Sequence, residues 1–436
     1  MEYHEKILSN GMKLVFIPNT KLPIISLGFF IKVGSRNEIK DNNGVAHFVE
    51  HMLFKSTKNR TANELYDQLD TLGATYNAGT TSDYTFYYFS GNSSDTLTLL
   101  EILFDIYKNP LFLESDILLE KKVIIEEMRV LSDSPIVMLQ SQLHKKIFKN
   151  TSLEREIIGT ENTIKNMTSN DLKNFYKCMY QPNNTIFIIV GNFNPAFIYN
   201  NIKNTLSQIP NIDYDSADCV TNYFYEKYII LNNMETQSEP YFYIKNIPDL
   251  KQIYIFLAFP LYDLYDEYSL EIDFISLILS GGSSSRLTKK LREDNGISYT
   301  IKSWPIIYED SGVFVIQLII NPSELGKTFE ILSKILTDIK KNKISDKELK
   351  KIVNLSKNEL IYSMIQPLDI LVYFGSNYMS DENFIFNLQE IYDNYQNVTS
   401  QDILDVCQKI FIYEKINLLM CGNINYSSEI NDTLKF

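Results

Sequence analysis

This 436-residue chain lacks the features that mark several common classes of protein. Its four cysteines form no Cys-x-x-Cys pair, so neither a thiolate zinc site nor a disulfide framework is expected, and a reducing compartment fits. A net charge of −13 leaves no basic face for nucleic acid. No apolar run could span a bilayer, and the start, MEYHEKILSN, resembles neither a signal peptide nor a transit peptide. The sequence therefore predicts a cytoplasmic protein that binds neither nucleic acid nor membrane.

The length and an internal repeat predict two domains. The chain is too long for one ordinary hydrophobic core. Residues 166–194 align without a gap to residues 397–425, 231 positions later, and each copy reads as a capped helix followed by a buried strand. We therefore expect two homologous α+β domains, 1–215 and 216–436, joined within 211–222. Each should contain a mostly antiparallel sheet with helices packed on one face.

Local patterns predict the elements of the first half. Asn10-Gly11 is typical of a hairpin turn, and Thr61 with Glu64 forms a capping box at a helix start. The predicted elements are a hairpin over 6–19, a strand over 24–34, a helix from Asn43-Gly44, a helix over 61–73, a strand over 75–91, and helices near 95–108 and 115–131.

Two of the four histidines stand four residues apart in GVAHFVEHMLF, residues 44–54. On a helix, His47 and His51 share one face, so their imidazoles can bind one metal ion. Glu50 lies beside that row, which suits a general base better than a ligand. The order His-x-x-Glu-His reverses the common zinc-protease motif. Two histidines on an ordinary apolar helix are the alternative, and chance produces this pattern only rarely. We therefore favour a metal site.

A catalytic zinc needs a third protein ligand, and ESDILLEKKVIIEEMRVL, residues 114–131, supplies acids for it. Glu120 and Glu127 are seven residues apart and share a helix face, while Glu126 is rotated by about 100°. One acid could bind the metal and the other could support a histidine. Spacing alone leaves the choice between Glu126 and Glu127 open.

The segments SLGFFIKVGSRNE, GVAHFVEHMLFKST and VIIEEMR resemble the inverzincin family of pitrilysin, insulin-degrading enzyme and the mitochondrial processing peptidases. Size and duplication resemble its short single-chain members. In that family the glutamate ligand follows the second histidine by about 76 or 77 positions; Glu127 follows His51 by 76. The resemblance thus implies one zinc ion per chain on His47, His51 and Glu127, with Glu120 in support and Glu50 activating water. A slip of one residue would select Glu126 instead.

The resemblance also assigns substrate contacts. Asn77 and Ala78 match the family's Asn-Ala pair on a sheet edge that binds substrate as an added strand. Arg292 and Tyr299 match its LRE…GxxY segment, so they are expected to act on the substrate from the second domain, which closes on the first like a clamshell. The second half lacks the metal motif. A loose alignment sets Asp273 opposite His47, and no histidine follows His144.

The function expected from these observations is a zinc endopeptidase that cuts peptides or unfolded, presequence-like segments. Two alternatives stay open. One is a non-catalytic assembly subunit, although such relatives generally lose the zinc residues. The other is a catalytic subunit that needs a separate partner chain. The resemblance implies a possible homodimer.

Overall fold

A computed structural model describes residues 2–211, 237–261, 264–424 and 433–436. The chain divides into two compact units, and neither is one continuous stretch. The first unit takes its described residues from the ranges 1–130, 155–227 and 361–386, and the second from 131–154, 228–360 and 387–436. The predicted boundary at 215/216 lies outside the described residues, as does most of the predicted join.

The first unit is built on a six-stranded sheet in the order β1-β2-β6-β3-β5-β4. Only β2 and β6 pair in parallel; the other neighbours are antiparallel. The strands are β1 (His4–Ile7), β2 (Lys13–Pro18), β3 (Ile24–Ile31), β4 (Thr75–Thr80), β5 (Thr85–Asn92) and β6 (Thr185–Gly191). Every residue of β6 is buried. This explains why that segment reads as a continuous apolar run.

Helices pack on this sheet through a core that contains Leu27, Phe29 and Ile31 of β3. The helices in the first 211 residues are α1 (Val45–Leu53), α2 (Ala62–Thr71), α3 (Thr96–Lys108), α4 (Glu114–Ser132), α5 (Pro135–Ile147), α6 (Glu161–Asn166), α7 (Ser169–Met179) and α8 (Pro195–Ser207). Of these, α5 belongs to the second unit. The predicted capping box of α2 is present, with Thr61 and Glu64 each accepting the other's backbone N–H.

The second unit repeats the plan with a five-stranded sheet in the order β7-β11-β8-β10-β9. Its strands are β7 (Tyr241–Asn246), β8 (Ile253–Pro260), β9 (Ser298–Tyr308), β10 (Ser311–Ile320) and β11 (Asn417–Gly422). The helices in the described residues after 237 are α9 (Leu264–Ser280), α10 (Leu325–Lys341), α11 (Asp346–Ser363), α12 (Pro367–Ser380), α13 (Leu388–Asn397) and α14 (Ser400–Ile410). Of these, α12 belongs to the first unit.

The internal repeat appears at its predicted positions. Helices α7 and α14 start 231 residues apart, after Thr168 and Thr399, and both have a capping box with an aspartate. A buried strand follows each helix, β6 in one copy and β11 in the other, and each strand pairs in parallel with one neighbour. The predicted fold class, two homologous α+β domains, is confirmed.

Each sheet also carries a helix on its other face, and that helix comes from the opposite half of the chain. In the first unit, α12 packs on β3, where a side chain at Gly28 would meet Leu371 and the Phe30 ring lies against Gly375. In the second unit, Leu139 and Leu143 of α5 pack in the core cluster that holds residues of β8, β10 and β11. The two helices occupy equivalent places in the repeat, since α5 follows α4 as α12 follows α11. We call them the exchanged helices.

Two sequence expectations are wrong. The segment 75–91 forms a hairpin, β4 and β5, because Thr81–Tyr84 make a turn in which Thr81 N–H donates to the Tyr84 carbonyl at 2.8 Å. Cys178 is disulfide-bonded, although no disulfide framework was expected, because the spacing of cysteines alone does not show which of them pair. Cys407 and Cys421 are free and buried.

Candidate metal centre

The helix that carries the histidine motif is anchored by a buried acid. Gly44 caps α1 with φ of +95°, a conformation that a side chain would strain. The Glu38 carboxylate accepts hydrogen bonds from the backbone N–H groups of Gly44 and Ala46, at 2.8 Å each. It also accepts one from Asn43 Nδ2 at 2.8 Å. Glu38 thus satisfies N–H groups that the start of a helix leaves unpaired. Burial raises the pKa of its carboxyl to about 7, against the effect of these donors.

His47, His51 and Glu127 come together on the facing surfaces of α1 and α4. The two imidazole rings lie 4.5 Å apart, centroid to centroid. Glu127 Oε1 lies 3.9 Å from His47 Nε2, and Glu127 Oε2 lies 3.6 Å from His51 Nε2. One donor atom from each side chain lies within 4.8 Å of the others. No second group of three potential ligands this close together was found among the described residues.

This donor set fits zinc. Ligand atoms about 2.0 Å from a tetrahedral zinc ion are separated by about 3.3 Å, so the donor atoms, which lie within 4.8 Å of one another, must move closer together to bind the ion. Burial lowers the pKa of His47 to about 3, so its imidazole is neutral, the form that binds a metal. Its Nδ1 atom is buried with no hydrogen-bond partner, so hydrogen bonding does not fix the His47 tautomer. Two imidazole nitrogens and one carboxylate are a common set of protein ligands for a catalytic zinc ion.

Glu120 orients the second histidine. His51 Nδ1 donates to Glu120 Oε1 at 2.7 Å, which leaves Nε2 free on the side of Glu127. Lys55 Nζ contacts the other oxygen of Glu120 at 2.6 Å. Burial tends to raise the pKa of Glu120, but the hydrogen bonds from His51 and Lys55 outweigh it and the pKa is lowered. The ionised Glu120 therefore fixes the tautomer of His51.

The acids around His51 raise the pKa of its imidazole. Burial alone lowers the pKa of His51, but the hydrogen bond to Glu120 and the charges of Glu50, Glu120 and Glu127 raise it more. The pKa is therefore raised, and protons compete with a metal at this nitrogen. Affinity for a metal ion should consequently fall in acid.

Glu50 lies beside the cluster and is held by a hydroxyl group. Thr80 Oγ1, at the end of β4, donates to Glu50 Oε2 at 2.8 Å. Burial raises the pKa of Glu50, while the hydrogen bond from Thr80 and the charge of His51 act against that rise. A carboxylate with a raised pKa and a fixed orientation is suited to accept and return a proton.

Glu126, the acid next to Glu127 in the sequence, lies outside the cluster. Glu126 is exposed and pairs with Arg129 three residues later, at 2.8 Å from Nη1 to Oε2. It is not part of the histidine cluster. The helix thus presents Glu120 and Glu127 to α1 and turns Glu126 toward solvent.

The predicted substrate residues lie on both units. Asn77 and Ala78 belong to β4, which forms an edge of the first sheet, and Asn77 Oδ1 accepts from the Ala78 N–H at 2.9 Å. Arg292 and Tyr299 both belong to the second unit. There the Arg292 guanidinium lies over the Tyr299 ring, 4.7 Å from its centroid, and 81% of Tyr299 is exposed.

In the second unit, the position that the sequence alignment sets opposite His47 carries an acid. Asp273 lies on α9, and desolvation raises the pKa of its carboxyl to about 6, with a further contribution from the charge of Glu359 on α11. This pair has no imidazole, so it lacks the nitrogen donors that zinc favours.

Three residues of the site were not found from the sequence. Glu38 carries no local signal, because its bonds to the start of α1 depend on a loop. Lys55 follows His51 by four residues, a spacing that could have indicated a shared helix face. Thr80 was hidden because the hairpin of β4 and β5 was read as one strand.

Comparisons with known proteins identify the family. Residues 14–161 match the model described as insulinase (peptidase family M16), and residues 166–356 match the peptidase M16 inactive domain. An uncharacterised zinc protease of Bacillus subtilis, YmxG, is 27% identical over 358 residues, 81% of this chain and 83% of that protein. A protease of Helicobacter pylori of known crystal structure is 25% identical, with a TM-score of 0.84 over 96% of this chain and 99% of that one. The first half of the periplasmic protease PqqL of Escherichia coli has the same fold, with a TM-score of 0.77, 20% identity, and coverage of 100% of this chain and 94% of that one.

These matches define a zinc-protease-like protein with two related domains. The chain belongs to the M16 (insulinase) peptidase family. Zinc is the metal named for its relatives, and the family acts on peptide substrates. No helix of the described residues is long and apolar enough to cross a membrane.

Proposed function

We propose that this chain is a zinc-dependent endopeptidase that cuts peptides or unfolded, presequence-like segments, with one zinc ion per chain. The observation that carries the proposal is the meeting of His47, His51 and Glu127 within 4.8 Å of one another. Those three residues hold the ion, and Glu120 orients His51 through the 2.7 Å hydrogen bond. When bound, zinc supplies Lewis-acid polarisation and makes water a nucleophile at neutral pH.

The protein's own groups carry the proton transfers. Glu50 accepts a proton from the attacking water and returns it to the leaving amine, a role supported by its raised pKa and its position next to His51. Because Thr80 occupies Oε2, the other oxygen of Glu50 is the one available for that proton.

Substrate binding is assigned to two further places. The edge strand β4, which carries Asn77 and Ala78, is available to pair with an extended peptide, a mode of binding that depends little on sequence. Arg292 and Tyr299 act on the substrate from the second domain, as donors to its carbonyl oxygens, when the two domains close as a clamshell.

Compartment and assembly complete the proposal. A homodimer is the expected assembly. The cytoplasmic location expected from the sequence stays a prediction, and the disulfide at Cys178 is more typical of an oxidising compartment.

Metal analysis combined with cleavage of a mixed peptide library tests the proposal. Wild type and Glu50→Gln should both contain near-stoichiometric zinc, and only wild type should cleave. Glu126→Gln, an exposed acid on the same helix as Glu127, is the matched control and should keep both properties. Tyr299→Phe should lower turnover with zinc retained.

Two results would refute the proposal. If the wild type carried no metal after purification without chelators and cut nothing, both the proposed zinc site and the proposed peptidase activity would be wrong. A zinc-loaded wild type that cuts nothing would instead favour the non-catalytic subunit, or, if activity returned with a second chain, the need for a partner.

A further inference from the structure

We propose that Thr80 is a positioning residue for Glu50: it fixes one carboxylate oxygen by a hydrogen bond and so determines which oxygen exchanges the proton. The inference rests on the proposed peptidase function and assigns a residue to its proton-transfer step. It starts from a contact between an edge strand and the zinc helix, Thr80 Oγ1 to Glu50 Oε2 at 2.8 Å.

The register of β4 directs Thr80 to α1. Side chains alternate along a strand, so Tyr76, Ala78 and Thr80 share one face and Asn77 lies on the other. Tyr76 and Ala78 pack against the core cluster that includes the apolar residues of α1. Thr80 is the last residue on that face before the turn, at the level of Glu50.

The turn that follows Thr80 is held by a neighbouring segment. Arg36 Nη1 lies 2.5 Å from Asp83 Oδ1, and only 9% of the Arg36 side chain is exposed. The backbone N–H groups of Ser35 and Arg36 donate to the carbonyls of Thr81 and Ser82, at 3.1 Å and 3.0 Å. The turn is therefore tied at three points, and Thr80 has little freedom to move away from Glu50.

The same segment also fixes the helix that carries Glu50. Residues 34–38, here called the brace, hold the turn through Ser35 and Arg36 and the start of α1 through Glu38. The turn after Thr80 and the helix that carries Glu50 are thus both held by one short stretch of backbone, which keeps the donor and the acceptor of their hydrogen bond in place. Such an arrangement holds a functional side chain in one orientation before the substrate arrives.

Fixing the carboxylate matters because the bond between Cγ and Cδ of a glutamate rotates broadly. Without the hydroxyl, either oxygen could face the cluster, and Glu50 would spend part of its time misoriented. Among the described residues, Thr80 is the only one whose hydrogen bond to Glu50 is seen. Loss of that bond should therefore reduce turnover and leave both zinc and peptide binding in place.

Two substitutions separate positioning from a structural role. Thr80→Val keeps the shape and removes the hydroxyl, and Thr80→Ser keeps the hydroxyl. With a fluorogenic peptide that the wild type cuts, Thr80→Val should lower kcat by about 10- to 100-fold, since hydrogen bonds to charged groups are the strong ones. KM should stay within about twofold, and Thr80→Ser should recover kcat to within about threefold of wild type. Zinc content, measured on the same samples, should be unchanged.

Thr85→Val is the matched control. Thr85 is directly opposite Thr80 in the β4–β5 hairpin, and its hydroxyl donates to the Val33 carbonyl at 2.8 Å instead of to Glu50. This variant should lose stability while the folded fraction keeps its kcat.

The outcomes separate the two proposals. If wild type cuts peptides and Thr80→Val keeps kcat within about twofold, the positioning role is wrong and the peptidase stands. If Thr80→Val loses zinc, or Thr80→Ser is as slow as Thr80→Val, the residue is structural and the inference is also overturned. If wild type holds zinc and cuts nothing, the proposed function itself fails.

Discussion

Replacing Glu120 with glutamine should weaken zinc binding by about 10- to 100-fold, or about 1.4–2.7 kcal/mol. Glu120 is 4% exposed, and both of its partners are donors, His51 Nδ1 at 2.7 Å and Lys55 Nζ at 2.6 Å. A glutamine has one oxygen, so its amide group must face one of the two. If the oxygen stays with the charged Lys55, the amide faces His51 and favours the tautomer whose Nε2 carries a proton. That nitrogen must then lose its proton or turn before it can bind zinc.

Competition with a fluorescent zinc chelator at pH 7.5 measures this loss without any need for catalysis. Glu126→Gln is the control, because Glu126 belongs to the same helix and its exposed pairing with Arg129 does not involve the histidines. It should bind zinc within about twofold of wild type. A Glu120→Gln variant with the same zinc affinity as wild type would show that His51 does not depend on Glu120, and the reasoning would be wrong.

Two further predictions concern the frame around the site. Gly375→Ala should destabilise the protein by about 1–2 kcal/mol in urea unfolding, because overlap of the new methyl with the Phe30 ring outweighs a helix-propensity gain of up to ~1 kcal/mol. Gly326→Ala, with open space around the new methyl, should instead be neutral or stabilising, and equal effects at both glycines would contradict the packing of α12. Burial raises the pKa of Glu38 to about 7, so the folded state holds this proton more tightly than the unfolded state. The stability that this proton contributes is therefore fully present below about pH 4.5 and is lost as pH rises through 7, by about 3 kcal/mol relative to Glu38→Gln. Urea titrations of wild type and Glu38→Gln across that pH range measure the difference in the free energy of unfolding. If that difference did not change with pH, the raised pKa of the Glu38 carboxyl would be wrong.

The sequence was most informative where structure depends on nearby residues. Positions four apart on a helix predicted that His47 and His51 share a face, because helix geometry is local. The capped helices of the repeat could be read in the same way. Choosing between Glu126 and Glu127 required the spacing of a related family, since two helices distant in sequence must meet for the cluster to form.

The remainder depends on contacts that no local pattern encodes. The turn between β4 and β5 lies within a Thr- and Tyr-rich run whose strand propensity is high on both sides, so the hairpin was missed and Thr80 with it. Glu38 reaches the start of α1 from a loop. The exchanged helices read as ordinary amphipathic helices, and nothing in their own residues tells which sheet they cover.

The exchanged helices bear on how such a chain can arise and how it can be divided. Two copies of one domain that trade equivalent helices are a domain-swapped dimer, and joining the copies end to end turns that dimer into a single polypeptide. In this chain the exchanged pair is α5 and α12, each of which belongs to the unit built from the other half. A fragment ending near residue 215 would lack Leu371 and Gly375, and would uncover the face of β3 that holds Phe30. Such a half should associate through that face rather than fold as a monomer, so the sheet beside the histidine cluster depends for its packing on residues from the half that has no histidines.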